Sequence, residues 1–351
     1  MISLCMIVKN EEYTLEKCLI SVEKFVDEIV IVDTGSIDKT KEIAMKYTSK
    51  VYDFEWCSDF SKARNFSIEK STNDWVLVLD ADEVVEKLDR NKIKEFCEDI
   101  EKVKVGRVKR INIYEDQYGT KKYIERVNRF FNKNYFKYEG IIHEQIVSID
   151  KANYNTENIE VTLNHIGYSR EVINITNKIQ RNILLLENAI KQNSNDPYLH
   201  YQIGKSYFMG KNFELAKTSF EKSLSLVKSF TYEYVEDLVE SYGYTLLNLN
   251  LFNEALVLYK YEKYYKIYPD YLFIIGLIEM NIGNFQNAAE KFLECTKYDE
   301  GKIEGINSFL PLYNIGVIFE CLGFKEEAVD YYRMCNGYSL ADQRIKLILR
   351  K

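Results

Sequence analysis

The chain changes rhythm near Asn174, and no single architecture accommodates both sides of that point. Before it, short apolar runs alternate with stretches of helical spacing. Ile2–Val8 reads as a buried strand, and residues 14–25 as a helix with Leu15, Cys18, Leu19 and Val22 on one face. A strand over 29–32, a helix over 40–47, a strand over 51–54, a helix over 59–69 and a strand over 75–79 continue the series. Alternating strands and helices predict a mostly parallel sheet with helices on both faces. After Asn174 nearly every segment reads as helix. The expected organisation is therefore an α/β domain over 1–173 and an all-α domain over 174–351.

The helical part repeats itself. A glycine is followed twelve residues later by alanine and four later again by Phe or Tyr. The pattern occurs as Gly204/Ala216/Phe220, Gly243/Ala255/Tyr259, Gly276/Ala288/Phe292 and Gly316/Ala328/Tyr332. Small residues let the two helices of a pair pack closely, and the aromatic is expected to fill the gap to the next pair. The repeat resembles the tetratricopeptide repeat, whose period is about 34 residues. The steps between glycines are 39, 33 and 40 residues, which predicts insertions between units. Such arrays present a concave surface suited to a peptide or protein, and a packing scaffold or a homodimer through the repeats is the alternative.

In the first part the strands end in acids. "VLVLDADEVV" carries an apolar strand into Asp80, Asp82 and Glu83. So dense a cluster repels itself unless something positive lies between the acids. Ligands of parallel sheets bind beyond the carboxyl ends of the strands. Those ends carry Asn10 and Glu11, Asp33, and Asp80 with Asp82. Along a strand, positions i and i+2 face the same side, which predicts two carboxylates beside one hard cation. Oxygen ligands suit Mg²⁺ or Mn²⁺, ions that usually bridge to phosphates. Asp33 precedes a Gly35–Ser36 turn and is placed to accept from a base or a ribose, whereas Asp38 is expected to cap the next helix.

Composition removes several classes. A net charge of −7 disfavours a nucleic-acid partner. No apolar run approaches the ~20 residues of a membrane span. The 7 cysteines are scattered without a Cys-x-x-Cys pair, as expected of reduced thiols in a cytoplasm. The apolar opening run is short and has no basic residue before it, so it reads as a strand and not a signal peptide.

Four blocks, "SLCMIVKNEE", "DEIVIVDTGSIDKT", "DFSKARNFSIEKS" and "DWVLVLDADE", follow in order over about the first 85 residues. Together they resemble a family 2 glycosyltransferase with the GT-A fold. The resemblance implies transfer of a sugar, usually with inversion, from a nucleotide-diphosphate donor, with UDP-glucose the first candidate. It implies that Asn10, Glu11 and Asp33 lie on the donor side and that Asp33 holds the base or ribose. Asp80 and Asp82 would be its Asp-x-Asp motif, with Asp82 the better metal ligand. Arg64 would hold Asp80 or the diphosphate, and Arg129 is placed to contact the diphosphate.

"ERVNRFFNKNYFKYEGIIHEQI" and "LNHIGYSRE" contain two of the chain's 3 histidines. His143-Glu144 and His165-x-Gly167-Tyr168 are similar to a narrower group, the repeat-bearing transferases that include SunS-like peptide S-glycosyltransferases. That group attaches a sugar to a cysteine of a bacteriocin precursor. By this resemblance Tyr168 lies on the acceptor side and His165 completes the metal site. The chain departs from a common family pattern in lacking a Glu-Asp pair here, so Glu144 takes the role of acceptor base, with His143 beside it. A structural role for both is the alternative, with Glu144 paired to Arg126 or Arg129 and His143 ordering the loop. A general base is needed for a Ser or Thr hydroxyl. A Cys acceptor needs less help, with a pKa of about 8.5.

Three functions follow. The first is a metal-dependent transferase acting on a Cys or Ser/Thr side chain of a peptide or protein. The second is the same chemistry on a saccharide such as lipopolysaccharide core. The third is a non-catalytic scaffold that binds proteins through the repeats.

Overall fold

The computed structural model of the protein describes residues 1–99, 103–116, 119–168 and 175–350. For residues 114–116, 119–120, 166–168 and 175–177 the backbone alone is described. The chain separates into two compact units, residues 1–115 with 120–173, and residues 116–119 with 174–351. Among the described residues no helix is long and apolar enough to cross a membrane.

The first unit runs β1 (Ile2–Val8), α1 (Leu15–Val22), β2 (Glu28–Asp33), α2 (Thr40–Tyr47), β3 (Val51–Asp53), α3 (Phe60–Glu69) and β4 (Trp75–Val78). It continues with β5 (Glu83–Leu88), α4 (Arg90–Glu98), β6 (Lys104–Asp116), β7 (Gly119–Asn132), β8 (Phe136–Glu139), β9 (Gln145–Ser148) and β10 (Asn155–Tyr168). Eight strands form one sheet in the order β3-β2-β1-β4-β7-β6-β10-β5, and β8 and β9 form a separate ribbon. β1 pairs in parallel with β2 and β4, β2 with β3, and β10 with β6. The β4–β7 and β10–β5 pairs are antiparallel. This is the mostly parallel α/β architecture that the GT-A resemblance implies.

β1 lies inside the sheet and is covered on both faces, which explains its continuous apolar run. Leu4, Met6 and Val8 face α1, α2 and α4, and they share a core with Leu19, Ile43 and Phe96. Cys5 faces the other way, toward Ile68 of α3 and Phe136, Tyr138 and Ile146 of the ribbon. An isolated eight-residue helix such as α1 is marginal in water. Packing holds it, because Leu15, Leu19 and Val22 are fully buried and contribute about 1.5–3 kcal/mol each. Asp59 fixes the start of α3 by accepting from the Lys62 N–H at 3.1 Å.

Over residues 175–350 the regular elements of the second unit are all helices. Pro197–Met209 pairs with Phe213–Leu226, Pro269–Asn281 with Phe285–Cys295, and Phe309–Cys321 with Lys325–Arg333. In these three pairs the aromatic packs on the glycine of its own pair, not into the gap to the next. A Cβ built on Gly204, Gly276 or Gly316 would lie 2.5, 2.6 or 2.6 Å from Phe220, Phe292 or Tyr332. The pair that opens with Glu233–Asn248 departs from the pattern. Its return segment is Phe252–Ala255, a 3₁₀ stretch over Leu256–Tyr261, and Glu262–Tyr265. A 3₁₀ helix advances three residues per turn, so the residue that reaches back to Gly243 is Leu258, 2.5 Å from a built Cβ, and not Tyr259. Tyr259 turns instead to donate to Glu279.

Gly276→Ala should destabilise the repeats by about 1–3 kcal/mol, because Phe292 leaves no room for a methyl group. Chemical denaturation followed by far-UV circular dichroism checks this. Adding Phe292→Leu to Gly276→Ala should recover part of the loss, and no recovery would place the cost outside the glycine–aromatic contact.

Candidate active site

Asp33 closes β2, in register with Val8 of β1 and Asp53 of β3. Its Oδ1 accepts from the Gly35 N–H at 2.9 Å and the Ser36 N–H at 2.8 Å. That turn places Gly35 at φ +101°, which glycine adopts without steric cost. Asp33 Oδ2 is buried and has no hydrogen-bond partner among the described residues. The turn is fastened from β1's side. Asn10 Oδ1 accepts from the Ile37 N–H and Ser36 Oγ from the Asn10 N–H, both at 2.9 Å. Thr40 Oγ1 accepts from the Glu11 N–H at 2.6 Å, and the Glu11 carboxylate accepts from the Thr14 hydroxyl at 2.7 Å. Asn10 and Glu11 thus brace the loop that carries Asp33. Asp38 accepts from the Thr40 N–H at 3.0 Å, at the start of α2.

The acids after β4 are arranged differently from the strand geometry expected of them. β4 ends at Val78, and residues 81–82 lie in a turn closed by the Glu83 N–H donating to the Asp80 carbonyl at 3.1 Å. Strand alternation therefore does not set the two aspartates side by side. Asp80 is gripped by two arginines instead. Arg64 of α3 donates from Nη2 to Oδ1 at 2.7 Å, and Arg129 of β7 donates from Nη2 to Oδ2 at 2.6 Å. Burial alone raises the Asp80 carboxyl, but Arg129 and then Arg64 outweigh it and hold it well below the usual carboxylate range.

The same two arginines reach further. Arg64 Nε donates to Glu144, and Arg129 Nη2 also donates to Glu83 Oε1 at 3.0 Å. Glu83 has no exposed surface, and it also accepts from Arg110 Nη1 at 3.0 Å and, on Oε2, from the Asp80 N–H at 2.9 Å. Tyr138 lies over the Arg64 guanidinium, 5.6 Å from ring centre to its carbon. Burial pushes the Tyr138 hydroxyl up to about 12, so it keeps its proton. Cys18 lies behind the hub with its Sγ 3.6 Å from the Asp80 carbonyl. Burial, then Glu83, Asp82 and Asp80, raise this thiol well above its ordinary range.

Asp82 belongs to a second cluster. Its Oδ2 lies 3.2 Å from His165 Nε2, and His165 Nδ1 lies 2.7 Å from Asn112 Oδ1. Asn112 Nδ2 donates to Glu125 at 2.5 Å, and Arg110 holds Glu125 from the other side at 2.9 Å. Register explains the meeting. His165 pairs with Glu83 of β5 on one side and with Asn112 of β6 on the other. Among the described residues, Arg64, Arg110 and Arg129 link the carboxylates of Asp80, Glu83, Glu125 and Glu144. An imidazole beside a carboxylate is a donor set that suits a divalent ion.

Both oxygens of Asp80 are committed to guanidinium groups, and among the described residues no three His, Cys, Asp or Glu side chains gather as a metal cluster. Glu144 takes Arg64 as its partner, not the Arg126 or Arg129 that its place in the sequence suggests. His143 adopts φ +51° and its carbonyl accepts from Gln145 Nε2 at 2.9 Å, so it shapes the loop before Glu144. The side chain of Tyr168 lies outside the described residues. Sequence reasoning counted Glu83 in the acidic cluster without assigning it a role, and it missed Arg110, Asn112 and Glu125. The signal available for them was polar residues two apart within long strands, Arg110 and Asn112 on β6 and Tyr123 and Glu125 on β7.

Comparison with known proteins decides what this site belongs to. Residues 3–150 match the model of glycosyl transferase family 2, and residues 197–227 match a tetratricopeptide repeat. The first unit carries a family 2 glycosyltransferase domain. Beyond it, the chain is 31% identical over 220 residues to a TPR repeat-containing protein of Synechococcus elongatus, covering 58% of this chain and 51% of that one. It is 28% identical over 226 residues to the SPbeta prophage-derived glycosyltransferase SunS of Bacillus subtilis, covering 64% and 53%. An uncharacterized glycosyltransferase of Rickettsia bellii is 37% identical over 86 residues, 24% of this chain and 29% of that one. The chain spans about half the length of the first two.

The buried ion pairs make the family 2 domain sensitive to removal of a single partner. Arg129→Met should cost about 3–5 kcal/mol in urea denaturation, since it strips a cation from both Asp80 and the wholly buried Glu83. Arg129→Met combined with Glu83→Leu should cost less than the single change. A double variant less stable than Arg129→Met would show that Glu83 gains nothing from the pair.

Proposed function

We propose that the first unit transfers a sugar, with inversion, from a nucleotide-diphosphate donor to a side chain of a peptide or protein, with UDP-glucose the first donor to try. The observation that carries this reading is a set of polar features at and beyond the carboxyl ends of β2 and β4 in a family 2 domain. Asp33 offers a buried carboxylate oxygen without a hydrogen-bond partner among the described residues. Asp82 and His165 turn a carboxylate and an imidazole toward each other.

Each feature suits one part of a nucleotide diphosphate. The open Asp33 oxygen suits a base N–H or ribose O–H, because a buried acceptor left unpaired costs about 1–3 kcal/mol. Asp82 and His165 would hold a divalent cation, Mn²⁺ or Mg²⁺, which supplies countercharge for the departing diphosphate. The imidazole favours Mn²⁺, since Mg²⁺ prefers an all-oxygen shell. Asp80 serves by position: it keeps Arg64 and Arg129 in place, and through Arg64 it fixes Glu144. Glu144 is the base assigned to an alcohol acceptor, with His143 setting its loop. The helical repeats are assigned to the acceptor, as extended arrays bind peptides along their length.

A panel of UDP-, GDP- and dTDP-sugars with Mn²⁺, Mg²⁺ or EDTA checks the donor side by thermal shift and donor hydrolysis. One nucleotide sugar should raise the melting temperature and turn over only with metal. Asp82→Asn should lower the turnover by about 10²-fold or more. A wild type that answers to no donor would refute the transferase and leave the repeats to carry the function.

A further inference from the structure

Building on the cation-site reading of Asp82 and His165, we propose that Asn112 and Glu125 are positioning residues that fix His165 as its Nδ1–H tautomer and turn the Nε2 lone pair toward Asp82. Four neighbouring strands set this up. β5, β10, β6 and β7 lie side by side, and the register places His165 between Glu83 and Asn112. Glu125 follows on β7.

The tautomer follows from the hydrogen-bond chain. The oxygen and nitrogen ends of an Asn amide are told apart by their partners. One end of Asn112 meets the Tyr123 carbonyl at 3.3 Å and the Glu125 carboxylate at 2.5 Å. Both partners can only accept, so that end is the NH₂. The other end is therefore the carbonyl oxygen, 2.7 Å from His165 Nδ1. An amide oxygen can only accept, so Nδ1 carries the proton. In the neutral ring this leaves the Nε2 lone pair on the side of Asp82 Oδ2, 3.2 Å away.

Glu125 is what stops Asn112 from turning over. A flipped amide would set its oxygen against the Glu125 carboxylate and the Tyr123 carbonyl, inside a site where Asn112 is 7% exposed. Glu125 is itself held by Arg110, at 3.1 Å from Nε and 2.9 Å from Nη2. Arg110 also binds Glu83, and Glu83 binds Arg129 beside Asp80. The orientation of the imidazole is thereby tied to the arginine hub, and an Asp82–His165 site that takes nitrogen as well as oxygen prefers Mn²⁺ over Mg²⁺.

Long-range ¹H–¹⁵N correlation on the full chain labelled with ¹⁵N-histidine, at pH 8, reads the tautomer directly. The chain has 3 histidines, and His165→Gln assigns the signal. The wild type should show Nδ1 protonated and Nε2 bare. Glu125→Leu, which removes no atom in contact with the ring, should shift it toward Nε2–H and weaken Mn²⁺ binding with UDP by about 10–100-fold in spin-resonance titrations. A wild type with Nε2–H, a mixture or a doubly protonated ring overturns the assignment, as does an unchanged tautomer in both Glu125→Leu and Asn112→Leu. A wild type that shows Nδ1–H but binds no Mn²⁺ with any nucleotide overturns the cation-site reading, while Mn²⁺ binding with the other tautomer overturns this assignment alone.

Discussion

Asp80 between Arg64 and Arg129 is the contact on which the first unit depends. It draws α3, β7, the turn after β4 and, through Glu83 and Glu144, β5 and the loop before β9 into one ionic network. Arg64 uses two arms of its planar fork, Nη2 on Asp80 and Nε on Glu144, while Arg129 reaches Asp80 and Glu83 from a single nitrogen. Burying these charges is costly in itself. Each arginine meets two carboxylates: Arg64 binds Asp80 and Glu144, and Arg129 binds Asp80 and Glu83.

That arrangement explains an acidic strand end that ordinary turn chemistry does not need. Of the three acids, Asp80 and Glu83 are bound by arginines, and Asp82 lies beside an imidazole. The Asp-x-Asp spacing works here through a turn. Asp80 and Glu83 close that turn on each other through backbone and side chain, which swings Asp82 toward β10. The repeats solve an analogous problem without charge. Three glycines give way to aromatic rings, and where the return helix tightens to 3₁₀ a leucine one position earlier takes the ring's place.

Much of this was legible in the sequence, for identifiable reasons. The strands β1, β2 and β4 announce themselves because strands covered on both faces must be apolar throughout, and the acids after them stand out against that background. The four glycine–alanine pairs announce themselves because close helix packing tolerates few residue types. What escaped were contacts between residues distant in sequence with no local signature. Arg110, Asn112 and Glu125 sit on long strands whose alternation looks like ordinary solvated polarity, and only the register that places His165 between Glu83 and Asn112 reveals their purpose. Of the four aromatics, Tyr259 alone bonds to the next pair, at Glu279, as the spacing suggested, because the 3₁₀ turn gives its place on Gly243 to Leu258.

The division of labour between the two aspartates is the claim that most deserves a direct look. Diffraction from crystals grown with Mn²⁺ and UDP, recorded at the manganese absorption edge, would locate the cation without assumptions about ligands. The anomalous peak should lie between Asp82 and His165, with the Asp80 oxygens still bound to Arg64 and Arg129. A peak coordinated by Asp80, with either arginine displaced from it, would contradict the hub.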